Sequence, residues 1–197
     1  MSPARVARDA YREALPALSA SLVGGLVAGV VLGGMRGDLA DISGLLVLVP
    51  ALLATRGNVY SSLGARVATA LHQGIVAPRL DALDDRLVRA CAAALANGLL
   101  ASAFAAVAVF VSLSVLPGFP PPAPLPGLVA LALVAGTLSG LTLTVVIVTA
   151  VFAGYRRGYN PDTLVGPLVT TTGDVFGLLF LLVAVRLTVA VGLLGGS

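Results

Sequence analysis

A single acidic residue lies in the middle of a long apolar stretch near the C-terminus. Asp174 is the only charged residue from Thr163 to Val185, with eleven residues on each side of it. As an α-helix this stretch would rise roughly 34 Å, about the thickness of the hydrocarbon core of a bilayer. A carboxylate at that depth is costly and needs a partner, a proton or water, and its own helix offers no cation before Arg186. The position indicates a substrate or ion site; the alternative is an acid that only joins helices.

The residues before Asp174 offer further oxygen atoms. Thr170 and Thr171 precede it by four and three positions and share its helix face, and Gly166 lies one turn further back. Carboxylate, hydroxyl and carbonyl oxygens suit Mg²⁺, whereas Zn²⁺ and Cu⁺ favour nitrogen or sulfur ligands. Mn²⁺ and Co²⁺ would also pass such a site. One carboxylate per chain makes a weak site, so we expect two chains to share it.

Small residues on the same stretch favour close helix packing. Gly173 and Gly177 are four residues apart, a spacing that lets another helix approach closely. A two-fold axis along the membrane normal would double every ligand and bring both Asp174 side chains to one level. We therefore predict a dimeric helical pore, with Gly166, Thr170, Gly173 and Gly177 at the close approach between the chains.

The composition is that of an integral membrane protein. Hydrophobic residues make up 58% of the chain and charged residues 11%, against about 25% charged in a soluble domain. All 12 basic residues are Arg, and the net charge of +3 comes from the loops, so it indicates membrane topology and no nucleic-acid partner. One His and one Cys exclude a His/Cys metal site. There is no nucleophile–base pair or cofactor fingerprint, so we do not expect an enzyme.

Five apolar segments predict an all-α protein with five transmembrane helices. Residues 1–13 would form a basic cytoplasmic arm, and residues 14–197 the transmembrane domain. A turn at 36–41, a charged loop at 74–89, a proline-rich loop at 117–127 and a helix cap at 160–162 would separate the spans. The expected segments are Ala14–Met35, Ile42–Thr55, Ala90–Leu116, Leu128–Ala153 and Thr163–Val185, and a weakly polar helical stretch, Val59–Gln73, follows the second of them.

The second segment is interrupted. Its apolar run, Ile42–Thr55, has 14 residues and contains Pro50, and Arg56 and Gly57 follow. A short segment broken by Pro and Gly is typical of a transporter's binding region, whereas the alternative is a plain span with a frayed end. We expect Arg56 either to anchor the helix end at the cytoplasmic interface or to pair with an acid. Its charge would also repel cations at the inner mouth of a pore.

The distribution of Arg predicts the orientation in the membrane. The segment before the first span has three Arg, the region from Arg66 to Arg89 has four, and the loop before the last span has Arg156 and Arg157. The other side has Arg36, an uncharged loop and Arg186. By the positive-inside rule the N-terminus is cytoplasmic and the C-terminus outside, with the chain in the cell membrane.

Two stretches resemble the transmembrane domain of the MgtE family of magnesium transporters and of its eukaryotic solute-carrier relatives. The first, Val49 to Asn58, is similar to the family motif Pro-x-Leu-x-x-x-x-Gly-Asn at the end of the second span. The second, Arg156 to Arg186, is similar to the final loop and fifth helix of the family, including the Pro, the hydroxyl-rich turn and the Asp. The number and spacing of the spans agree with the family as well.

The resemblance implies a pore lined by the second and fifth helices of two subunits. Asp174 would lie at the central Mg²⁺ site and Thr170 close to the ion, so the candidate metal residues are Asp174, Thr170, Thr171, Gly166 and Asn58. Bacterial members often have Asn where this chain has Gly166, and a small residue where it has Arg56. They also carry a helical N-terminal domain and a CBS pair, the latter a sensor of cytosolic magnesium, and we expect this chain to be a transmembrane domain without these sensor domains.

Three functions remain open from the sequence. The leading one is a channel for Mg²⁺ shared by two chains, and the second is a secondary exchanger that couples Mg²⁺ to Na⁺ or H⁺. The third is a membrane subunit that does not transport, in which Asp174 only holds helices together. The second chain would be another copy or a related protein.

Overall fold

The computed structural model describes residues 3–79, 84–158 and 161–194, and these form helices joined by turns. In chain order the helices are α1 (Pro3–Gly34), α2 (Arg36–Asp41), α3 (Leu45–His72), α4 (Asp85–Val115), α5 (Leu125–Arg156) and α6 (Pro161–Ala190). The prediction of an all-α protein is confirmed over this part of the chain. Asn160 of the expected helix cap lies outside the described residues.

Four helices in the described part of the chain are long and apolar enough to cross a membrane. They are α3, α4, α5 and the segment Val165–Ala190 of α6. The apolar segment Leu18–Gly34 of α1 is shorter. Four of the five expected spans are therefore supported, and the first, Ala14–Met35, stays a prediction.

The expected break in the second span is absent. α3 runs without interruption from Leu45 to His72, through both Pro50 and Gly57. Pro50 lies in the second turn, where its fixed φ suits a helix and its missing N–H removes one hydrogen bond. Leu48 and Leu52 on either side of it are fully buried, so packing holds this turn in place. The prediction of non-helical backbone at membrane depth was wrong here.

The turn expected at 36–41 is instead the short helix α2. Its Asp38 accepts a hydrogen bond from Arg186 of α6 at 3.2 Å, in an ion pair that ties the end of α6 to the start of the second span. At the start of α4, Asp84 caps the helix by accepting a hydrogen bond from the Arg86 N–H at 2.7 Å. The charged loop before α4 is therefore shorter than the expected 74–89.

The helices pack around α5 and α6. α6 contacts α1, α3 and α5, while α5 contacts α3, α4 and α6. α1 lies at the edge of the bundle against α6, with Gly24 leaving room for the methyl group of Thr171. The helix that carries Asp174 is therefore flanked by three others, which fix its rotation.

Two apolar clusters fill the interior, one toward each end of the bundle. The first joins the starts of α3 and α5 to the ends of α4 and α6, and the second joins the opposite halves of the same helices. Four buried side chains with polar groups lie where the clusters meet, near the middle of α3, α4 and α5, whereas buried Thr188 lies near the end of α6. We call these residues the polar layer: Arg56, Tyr60, Ser102 and Ser139.

Glycines make room for the polar layer. A β-carbon on Gly136 would lie 2.9 Å from Ser102 Oγ, and one on Gly140 would overlap the Tyr60 hydroxyl. Ser102 and Ser139 satisfy their hydroxyls within their own helices, by donating to the carbonyls of Gly98 and Ala135. The small residues of α4 and α5 thus let polar side chains fit inside an apolar bundle.

Replacing Gly140 by Ala is expected to lower the thermal unfolding midpoint in detergent. The new methyl group would meet the Tyr60 hydroxyl, and overpacking of this kind costs about 1–3 kcal/mol. Gly29→Ala is the control, because Gly29 faces open space on α1 and reports the gain in helix propensity alone. Tyr60→Phe should rescue part of the loss. Equal midpoints for Gly140→Ala and Gly29→Ala would contradict this packing.

Candidate functional site

Asp174 lies near the middle of α6 and is half-buried. The ion pairs within the described residues, Arg89–Asp85 and Arg186–Asp38, do not involve it. In the same part of the chain, no three His, Cys, Asp or Glu side chains come together to form a metal site. One chain therefore presents a single partly accessible carboxylate at mid-height of α6, with hydroxyl and carbonyl oxygens near it along the same helix.

Two of the other candidate residues lie on the accessible side of α6, one and two turns before Asp174. Thr170 is exposed, and its hydroxyl donates a hydrogen bond to the carbonyl of Gly166 at 3.0 Å. Gly166 is also exposed, and a β-carbon there would meet nothing within 4 Å. The lone pairs of the Thr170 hydroxyl oxygen remain available to accept a hydrogen bond from the water of a hydrated ion.

Thr171 faces the opposite flank of α6. Its Oγ1 lies 3.0 Å from Ser21 Oγ of α1, in a hydrogen bond between the two hydroxyls. Gly24, one turn further along α1, lies against its methyl group. The structure thus places Thr171 at the contact between α1 and α6, where its hydroxyl already has a protein partner.

Asn58 lies in a separate cleft between α3 and α4. The cleft has a volume of about 280 Å³, and its lining residues come from α3 and α4. Its polar groups are Asn58, Ser62, Arg66 and Asn97. Within one chain, therefore, Gly166, Thr170 and Asp174 come together on α6, while Asn58 lines a different surface.

Two further polar residues of this cleft, Ser62 and Asn97, were not among the candidates predicted from the sequence. Asn97 is a strongly polar residue within the long apolar part of α4 that follows Arg89. That contrast was a usable signal, because a side-chain amide in a transmembrane helix needs a hydrogen-bonding partner or water.

Arg56 is the second charged group at mid-height, and the structure places it against α6. A β-carbon on Gly177 would lie 2.8 Å from Arg56 Nη1 and 2.9 Å from Leu53 Cδ2. The side chain is only 3% exposed, so the expected anchor at the cytoplasmic interface is wrong. Gly177 accordingly makes room for α3 of its own chain, and the prediction that it lies at the contact with a second chain was wrong.

Comparison with known proteins agrees with the resemblance read from the sequence. The family model of MgtE, described as a divalent cation transporter, matches residues 49–184, which include Asn58, Thr170 and Asp174. Solute carrier family 41 member 3 of Rattus norvegicus is 26% identical over 195 aligned residues, which cover 89% of this chain. The chain spans 38% of the length of that relative. No solved structure matches the chain.

The matched region extends from the second turn of α3 to the last third of α6 and makes up more than half of the sequence. It contains the first stretch that resembles the family and all but the last two residues of the second, and the four helices that could span a membrane lie largely within it. The chain is a multi-pass membrane protein, and it belongs to the MgtE family of divalent cation transporters.

Proposed function

We propose that this chain carries divalent cations, Mg²⁺ first among them, across the membrane through a path shared by two chains. The observation that carries the proposal is Asp174: a half-buried carboxylate at mid-height of α6, with no ion pair among the described residues. Family membership supports transport over catalysis. The name of the relative from Rattus norvegicus, a solute carrier, agrees with that class of function.

The chemistry of the proposed site suits a hydrated ion. Mg²⁺ is held by oxygen ligands and usually keeps several of its waters. Asp174 would hold the ion, and the Thr170 hydroxyl would accept a hydrogen bond from one of its waters. Gly166 has no side chain and would leave room for these waters. Thr171 would join only by sharing its hydroxyl with Ser21. Mn²⁺ and Co²⁺ have the same ligand preference and are expected to pass as well.

The outward face of α3 favours contact with a second chain along the proposed ion path. From Ala54 to Thr69, its exposed residues are all small or polar. A face of this kind is costly against lipid, so it belongs against water or another protein. The exposed faces of α1 and α4 differ, because they present large apolar side chains such as Leu26, Val30 and Phe104 to the surroundings. The exposed residues of the α3 face are Ala54, Asn58, Ser62, Ala65, Arg66 and Thr69.

In this arrangement Asn58 would reach the path from α3 while Asp174 reaches it from α6. Two chains would supply two carboxylates, which offsets the weakness of one carboxylate as a site for a divalent cation. The partner would be a second copy or a related chain.

A secondary exchanger that couples Mg²⁺ to Na⁺ or H⁺ would use the same residues. Mg²⁺ flux driven by voltage alone, in liposomes without a Na⁺ or H⁺ gradient, supports the channel; flux that requires such a gradient supports the exchanger. A subunit that does not transport would show neither.

Asp174→Asn is expected to reduce Mg²⁺ flux in liposomes to the level of empty vesicles. Asn keeps the volume of the side chain and removes the charge that holds the ion. Asp85→Asn is the matched control, because Asp85 is an exposed acid at the start of α4 that pairs with Arg89. Wild-type flux in Asp174→Asn, with normal insertion, would remove Asp174 from the path.

Thr170→Val is expected to lower Mg²⁺ flux about tenfold, because it removes one hydrogen bond to a water of the ion, worth about 1.5 kcal/mol. Ser21→Ala serves as the comparison at the other flank. It breaks the hydrogen bond to Thr171 and should lower the unfolding midpoint while flux per folded protein changes less than threefold. Equal flux in Thr170→Val and wild type would exclude Thr170 from the site.

Cysteine cross-linking tests the shared path. In a Cys91→Ala background, we expect Ala65→Cys on the α3 face to form an intermolecular disulfide on oxidation. Val30→Cys is the control, because Val30 is 76% exposed on the apolar face of α1, which we expect to contact lipid. Failure of Ala65→Cys to cross-link, together with a monomeric mass in bilayers, would contradict the two-chain path.

A further inference from the structure

Arg56 is a buried cation without a partner among the described residues. Its side chain is 3% exposed, and Nε, Nη1 and Nη2 all lack hydrogen-bond partners within that part of the chain. A guanidinium carries five N–H donors, and burying it without an acceptor is costly. The free-energy cost of burying the Arg56 guanidinium indicates a role for this side chain beyond packing.

Asp174 lies one helical turn before the point where Arg56 meets α6. The guanidinium lies against Gly177, and Gly177 follows Asp174 by three residues on α6. Positions three apart on a helix have side chains about 5–6 Å from each other. Rotation of the long Arg side chain along α6, toward Asp174, would bring the guanidinium to the carboxylate.

The helices around this pair bring no other charge to mid-height. Residues 90–155, which include most of α4 and all but the last residue of α5, contain no Asp, Glu, Lys or Arg. The next charge along α3 is Arg66, ten residues further on and exposed. Arg56 and Asp174 are thus the positive and the negative charge of this level within the described helices.

We propose that Arg56 is an internal counter-ion that competes with the transported cation for Asp174. This inference rests on the proposed function. Without a divalent cation, the guanidinium pairs with the carboxylate and removes the cost of an isolated charge. When a divalent cation binds, the guanidinium withdraws to the space beside Gly177. The competition weakens binding at Asp174 and speeds release, so Arg56 sets the affinity at which the site works.

Removing the charge of Arg56 should tighten Mg²⁺ binding. We expect Arg56→Gln to lower the Mg²⁺ concentration for half-maximal thermal stabilisation of the purified protein by about tenfold or more, because charges this close interact strongly away from water. Arg56→Lys keeps the charge and should stay within about threefold of wild type. A wild-type value for folded Arg56→Gln, or equal shifts in both variants, would overturn the proposal.

Gly177→Ala tests the same competition with the opposite sign and leaves the charges unchanged. The new β-carbon would occupy the space beside Arg56 Nη1, so the position to which the guanidinium withdraws when an ion binds would be blocked. We expect the half-maximal Mg²⁺ concentration to rise several-fold, and Gly29→Ala, in open space on α1, to leave it unchanged. This variant also serves if Arg56→Gln does not fold. Tighter or unchanged Mg²⁺ binding in folded Gly177→Ala would count against the proposal.

A measurement without Mg²⁺ separates this proposal from the proposed function. In buffer with a chelator, the unfolding midpoints of wild type, Arg56→Gln, Asp174→Asn and the double variant form a cycle. If Arg56 and Asp174 pair, Asp174→Asn lowers the unfolding midpoint of the wild type more than that of Arg56→Gln. Additive losses in the cycle would contradict the counter-ion role. If the cycle shows coupling while wild-type liposomes carry no Mg²⁺, the ion pair stands and the proposed function fails.

Discussion

The central constraint on this bundle is a buried cation, Arg56, near the middle of an apolar interior and at the level of the half-buried Asp174. Arg56 on α3 lies against Gly177 of α6, which follows Asp174 by about one helical turn. Glycine accommodates the long cation, since Gly177 has no side chain where the guanidinium lies. The absence of a side chain at Gly177 of α6 lets α3 and α6 pack closely at this level.

The same solution recurs through the polar layer. The hydroxyl of Tyr60 fits against Gly98 and Gly140, and Ser102 fits against Gly136. Apolar clusters above and below supply the burial that holds the helices together, and the layer between them holds the polar groups. A site for a hydrated cation needs such polarity at membrane depth, where lipid alone offers none.

The packing around α6 gives the residues of its hydroxyl-rich turn two different environments. Thr171 joins α6 to α1 through Ser21, whereas Thr170 and Gly166 remain exposed. The contact with α1 fixes the rotation of α6, and that rotation determines which oxygens are free for an ion. From Ala54 to Thr69, α3 presents a small and polar outward face, unlike the apolar exposed faces of α1 and α4, and the proposed contact with a second chain lies there.

The sequence by itself determined the membrane class, the helical fold over the described residues, the family and the prominence of Asp174. Each of these follows from composition, from the lengths of apolar runs or from residues adjacent in the chain, which a helix arranges in a known way. The continuity of α3 was not predicted, because burial of Leu48 and Leu52 outweighs the local effect of Pro50 and Gly57. The partner of Thr171, the cleft at Asn58 and the approach of Arg56 to Gly177 were decided by the tertiary structure. They depend on how each helix is rotated against its neighbours, and packing between residues far apart in the chain sets that rotation.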